Sequence, residues 1–313
     1  MTRDDEAARR RARELALGLA AAFATLAIWT GFVLLTRLGT TTSLPPADLA
    51  ALRFAVAGAV CAPWLMRRGL GGLGWGRALF LAVFAGLGFT LFAYAGFRYA
   101  PAAHGGALMT GTLPLWTVLL ALPVLGERLS PLKLAGIGLT AAGVAAIAVP
   151  ALAVPGESLV GDLCFPLASL CWAIYTVAAR RWGVAPLQAA AIVYALAAML
   201  YLPAYLVWGG GRLPSAPLAE LAFQAVYQGL LATVVSLVLY MRAVSALGAG
   251  PTTLITAAVP GVATLAAIPL LGEWPDAATL AGVALVSAGV VVTVLGVARG
   301  ADGYRLTRRE SRA

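Results

Sequence analysis

"PVLGERLSPLKLAG", residues Pro123–Gly136, and "PLLGEWPDAATLAG", residues Pro269–Gly282, are one motif written twice, 146 residues apart. Each sets Pro-x-Leu-Gly-Glu between two apolar runs. The match extends outward at the same offset. Tyr94 falls on Tyr240, Thr110 on Thr256, Pro114 on Pro260 and Gly143 on Gly289. An offset of 143 residues brings Trp29 onto Trp172 and Arg37 onto Arg180. Self-similarity at a fixed offset marks a duplicated architecture, here with copies at residues 15–150 and 155–298.

The composition says what surrounds those copies. Of the 313 residues, 61% are hydrophobic and only 11% charged, and the mean hydropathy is +0.89. A soluble domain carries about 25% charged residues, so part of this surface faces lipid. About 20 apolar residues, rising ~1.5 Å each, cross the hydrocarbon core. That ruler predicts ten helical spans: Leu15–Thr36, Asp48–Met66, Gly76–Phe97, Ala102–Pro123, Leu132–Val149, Leu159–Ala179, Leu187–Val207, Leu218–Met241, Ala249–Leu271 and Ala277–Ala298. Each copy holds five. Because five is odd, the second copy enters the bilayer from the opposite side. The expected fold is all-α, with ten transmembrane helices as two inverted five-helix repeats. Such repeats are a common build of secondary transporters.

The formal charge of +9 suits an orientation better than a nucleic-acid partner, and none is expected. With the N-terminus inside, 18 of the 22 Lys and Arg residues fall on the inner side. Arg37, Arg53, Arg98 and Arg212 remain on the outer side or at outer span ends. Basic residues concentrate on cytoplasmic loops, so both termini are expected in the cytoplasm of an inner-membrane, multi-pass protein. Its tails at residues 1–14 and 299–313 are basic enough to touch anionic membrane lipids. The first apolar stretch is too long for a cleaved signal and lacks a clean cleavage site. Cys61, Cys164 and Cys171 have no metal-ligand spacing and are expected to be packing residues.

These motifs resemble the EamA-type permeases of the drug/metabolite transporter superfamily. The resemblance rests on "TLPLWTVLLALPVLGERLSPLKLAGIGLTAAGV", on "LITAAVPGVATLAAIPLLGEWPDAATLAGVALVSAGV", and on "ALRFAVAG" at Ala51–Gly58. It implies a ten-helix bundle that moves small metabolites such as amino acids.

Individual residues carry further expectations. Gly126 and Gly272 suit left-handed helix ends, while Ser130 and Asp276 suit the N-caps that follow. Glu127 and Glu273 then sit in tight turns, where a carboxylate accepts backbone hydrogen bonds. Pro114 and Pro260 lie mid-span and each frees the carbonyl four residues earlier, that of Thr110 or Thr256. Freed backbone at that depth needs protein or a water-filled cavity around it. Together with Trp29, Tyr94, Trp172, Tyr175 and Tyr240, amphipathic aromatics inside spans, these four are the candidate substrate-binding cavity. Packing alone is the competing explanation for each. Arg53 is expected to snorkel to the outer surface, with a bundle-facing role as the alternative. His104 is read as a wetted interface residue or a proton sensor. No carboxylate lies in the middle of a span, which argues against a buried-carboxylate proton antiporter. The resemblance sharpens this point, because four-span relatives are thought to use a glutamate there. Gly136, Gly143, Gly282, Gly289 and Gly296 recur at sevenfold spacing as packing surface, for the scaffold or for a homo-oligomer.

The expected function is alternating-access transport of a small organic solute, an amino acid or relative, with export favoured. Catalytic residues, metals and cofactors are not expected. A membrane enzyme acting on a lipid or polyprenyl carrier and a passive channel are the rivals.

Overall fold

The computed structural model describes residues 3–126, 130–153, 156–208, 211 and 213–310. Among them are ten helices long and apolar enough to cross a membrane, and no strand. We label them α1 (Arg3–Thr42), α2 (Pro46–Arg68), α3 (Trp75–Tyr99), α4 (Ala102–Leu125), α5 (Pro131–Ala153), α6 (Glu157–Arg181), α7 (Pro186–Val207), α8 (Leu218–Leu247), α9 (Ala249–Leu271) and α10 (Ala277–Glu310). The chain is a multi-pass membrane protein. Leu119, Leu134, Leu206, Leu265 and Leu270 are exposed on its flanks, as a lipid-facing surface requires.

Several ends run past their expected limits, among them α1 from Arg3 to Thr42, α8 to Leu247 and α10 to Glu310. In α1 the extension is held by Thr40, Thr41 and Thr42. Their hydroxyls donate to the carbonyls of Thr36, Arg37 and Leu38 at 2.8, 2.8 and 2.7 Å.

The repeat turns form as the sequence dictates. Gly126 (φ 66°, ψ 25°) and Gly272 (φ 68°, ψ 17°) end α4 and α9 in the left-handed region. Ser130 Oγ accepts from the Lys133 amide at 3.2 Å, and Asp276 Oδ1 from the Thr279 amide at 2.7 Å. Glu127 lies outside the described residues.

The two repeats interlock. α1 packs on α8 and α9, and its counterpart α6 packs on α3 and α4. α2 pairs with α7 and α5 with α10, each helix against its own repeat-mate. The α5–α10 contact fixes the symmetry. A Cβ on Gly136 would stand 2.7 Å from the Gly289 carbonyl oxygen, and one on Gly289 2.7 Å from that of Gly136. Gly143 and Gly282 show the same reciprocity at 2.7 and 2.8 Å. As one helix advances from Gly136 to Gly143 the other retreats from Gly289 to Gly282, so the pair is antiparallel. Gly282 and Gly289 are the repeat-mates of Gly136 and Gly143. A two-fold axis therefore crosses between the helices and the repeats are inverted. The glycine stripe is spent inside the chain, where small residues let membrane helices approach. It is not an outward face for a second copy.

Both repeats contain a wide, π-helical stretch in their third helix, Ala82–Gly88 in α3 and Ala225–Val235 in α8. π-helical turns inside α-helices cluster at functional sites. The fourth helices differ. α4 is continuous through Pro114. The equivalent α9 is interrupted at Ala257 and Ala258, between Ala249–Thr256 and Val259–Leu271. Pro260 opens the second segment, where its missing N–H costs nothing.

Candidate functional site

A polar network lies buried in the bundle among α1, α2, α3, α7 and α8. At its centre is Arg53, 3% exposed, about 10 Å along α2 from Pro46 by helical rise. The guanidinium does not snorkel. Its Nη1 and Nη2 reach the hydroxyls of Tyr94 and Tyr194, both at 3.4 Å. It lies 5.5 Å from the ring centroid of Phe32 and 5.7 Å from that of Tyr194. Cation–π attraction of this kind offsets part of the cost of burying a charge.

The network continues away from Arg53. Tyr94 donates to Gln228 Oε1 at 2.9 Å. Gln228 Nε2 donates to Thr36 Oγ1 at 3.1 Å and to Gln224 Oε1 at 3.4 Å. Gln224 closes the line on the Leu35 carbonyl at 3.3 Å. Both glutamines are fully buried. Gln228 is presented by the π-helical stretch of α8, and Tyr94 stands in the α-helical segment that follows the equivalent stretch of α3.

The nine candidate cavity residues do not converge on this network. Tyr94 alone belongs to it. Trp29 stacks on Tyr240 at 5.4 Å, joining α1 to α8. Trp172 packs on Phe89 at 4.9 Å and on Tyr175 at 5.1 Å, joining α6 to α3. Those are equivalent helix pairs of the two repeats. Thr110 donates to Gly106 O at 2.6 Å and Thr256 to Thr252 O at 3.2 Å, so each satisfies its own helix. Pro114 is half-buried in unbroken helix and Pro260 is buried beside the α9 interruption.

Two ionic clusters sit at the face assigned to the outside. Arg37 Nε donates to Glu273 Oε1 at 2.6 Å, and the other Glu273 oxygen accepts the Ala102 amide at 2.7 Å. One carboxylate thus ties α1 to the N-terminus of α4 and to the α9–α10 turn. A carboxylate at a helix N-terminus also meets a favourable dipole. Nearby, His104 Nδ1 lies 2.8 Å from Asp162 Oδ1, and Nε2 lies 3.2 Å from Thr279 Oγ1. This cluster joins α4, α6 and α10 beside a cavity of about 210 Å³ lined by His104, Ser158, Asp276 and Thr279. In the turn, hydrogen bonds from the Thr279 hydroxyl and amide hold the Asp276 carboxyl below its ordinary range, helped by nearby His104.

Asp162, 4% exposed, and the two glutamines are functional candidates that the sequence did not single out. Asp162 stands only one turn inside α6, and its histidine partner is 58 positions away. Gln224 and Gln228 carry no charge, so only their burial reveals them. Among the described residues no three His, Cys, Asp or Glu side chains gather as metal ligands.

An interlocked, inverted pair of five-helix repeats around a buried polar centre defines a membrane transporter fold. Residues 16–149 and 159–295 each match the EamA-like transporter family, and the chain belongs to it. A solved structure described only as a crystal structure of a protein is similar in fold. It is 24% identical, with a TM-score of 0.59, over 89% of this chain and 97% of that one. A search of curated proteins gave no match.

Proposed function

We propose that this protein is a secondary transporter that moves a small organic metabolite by alternating access. An amino acid or related solute is the favoured cargo and export the favoured direction. The basic loops and tails favour an inner-membrane location with both termini in the cytoplasm. The supporting observation is the unlike state of two like helices. α4 and α9 carry the same Thr-x-x-x-Pro motif in inverted repeats, yet α4 is continuous and α9 is interrupted. Exchanging those two shapes between repeats would exchange which face is open. Only a ligand or gradient that discriminates the two arrangements can drive that exchange.

Counterflow in proteoliposomes tests the reading. Liposomes loaded with an unlabelled solute should accumulate the labelled solute transiently and saturably. Linear, non-saturable flux would mark a channel instead.

A further inference from the structure

Among the described residues, Arg53 is a permanent cation without an anionic partner. Arginine does not deprotonate in proteins, and a charge at membrane depth is costly unless paired. Among the described residues the ion pairs join Arg37 to Glu273, His104 to Asp162 and Arg242 to Glu14; Arg53 is in none. Asp48, one turn earlier in α2, accepts a hydrogen bond from Tyr205 at 2.6 Å. Both tyrosine contacts to Arg53 are at 3.4 Å, near the outer limit for a hydrogen bond. Its Nε is buried with no partner. Three of the five donors therefore have weak or no acceptors on two edges of the planar fork.

We propose that Arg53 is the docking point for the carboxylate of the transported solute, so that the carrier accepts solutes bearing a single carboxylate and rejects the corresponding carboxamides. This rests on the transporter reading above. A carboxylate can accept two parallel N–H bonds from a guanidinium at about 2.7–2.9 Å, which would replace the two long tyrosine contacts or take the vacant Nε. The network holds one cation and no second Lys or Arg, so a single negative charge balances it. Phe32 and Tyr194 already flank the guanidinium and would flank the apolar part of the solute. Tyr94 and Gln228 already donate within the network, so Arg53 supplies the unused donors. Contributions from α1, α2, α3, α7 and α8 bring both repeats to the bound group. That is where a ligand must sit if the relative motion of the repeats is to feel it.

The experiment is a thermal-shift series on the full chain in detergent. The probes are L-phenylalanine, L-leucine and 3-phenylpropanoate, each against its carboxamide. The wild type should be stabilised by carboxylates and not by amides, because a ligand that binds the folded state raises its midpoint. Arg53→Met should abolish the shift while the unliganded midpoint stays equal or rises, since an unpaired buried charge is removed. Arg53→Lys keeps the charge without the fork and should weaken binding at least tenfold. The proposal is overturned by equal shifts from the amides, by shifts that survive in Arg53→Met, by no carboxylate binding, or by a lower unliganded midpoint in Arg53→Met. That last result would make Arg53 a structural residue. The wild-type comparison of acids with amides stands even if a variant fails to fold. Counterflow with the same probes separates the two readings. Arg53-dependent binding without exchange removes the carrier and keeps the site, whereas exchange that ignores Arg53 removes the site and keeps the carrier.

Discussion

At the scale of single residues, Asp276 and Glu273 show how one turn serves two ends. Asp276 caps α10 through the Thr279 amide at 2.7 Å. Its replacement by Ala should cost about 1 kcal/mol, the usual value of an N-cap, read as a lower unfolding midpoint. The carboxyl is held below its ordinary value in the folded protein. A depressed carboxylate stabilises fully above its unfolded pKa and loses that contribution as pH falls through the folded one. Wild type and Asp276→Ala should therefore differ at neutral pH and converge in acid below the ordinary carboxylate range. A difference that persisted there would mean the cap is not ionic. Glu273 works at longer range, because its two oxygens are divided between Arg37 and the Ala102 amide. The sequence announced both residues as turn furniture. It could not announce that Glu273 reaches into the other repeat, since Arg37 and Ala102 are remote in the chain.

At the scale of helices, the proposed exchange mechanism rests on the α4–α9 pair. Pro260 lacks the N–H that would bond the Thr256 carbonyl, so interrupting α9 there leaves one bond fewer to break. Pro260→Ala restores that donor and should favour a continuous α9. We expect exchange flux to fall at least tenfold with folded yield unchanged or higher. Flux at the wild-type level would show that the interruption is incidental. The α5–α10 pair is the opposite kind of element, a fixed brace. Gly143→Leu would drive a branched side chain into the Gly282 backbone, now 2.7 Å from a bare Cβ position. Overpacking typically costs about 1–3 kcal/mol, so the variant should show a lower midpoint and reduced yield. Normal stability would require the helices to part.

At the scale of the molecule, inversion makes predictions that no single span can make. Proteolytic tags in the loops after α4 and after α9 should be cut from opposite faces of the membrane. Terminal tags should be cut only after spheroplasts are opened, if the basic tails are cytoplasmic. The Arg37–Glu273 contact joins elements of both repeats at one face, with the Arg37 Nη1 also donating to Phe97 O at 2.9 Å. Cysteines at positions 37 and 273, oxidised to a disulfide, should block exchange, and reduction should restore it. Unimpeded flux through the cross-linked protein would mean that this face does not open during transport.

The sequence by itself determined the lipid solvent, the ten spans, the duplication and, because five is odd, the inversion. These follow from short-range properties: hydropathy over one span, and identities repeated at a fixed offset. The glycine helix ends and the Ser130 and Asp276 caps were legible for the same reason, since each acts within a turn of itself. Tertiary structure alone decided that the helix runs unbroken through Pro114 while Pro260 opens a new segment, because the two sequences around the prolines carry the same local motif. It likewise turned Arg53 inward and set the aromatic candidates in separate pairs. Which buried group meets which depends on helices that are neighbours in space and strangers in the chain, and no local pattern encodes that.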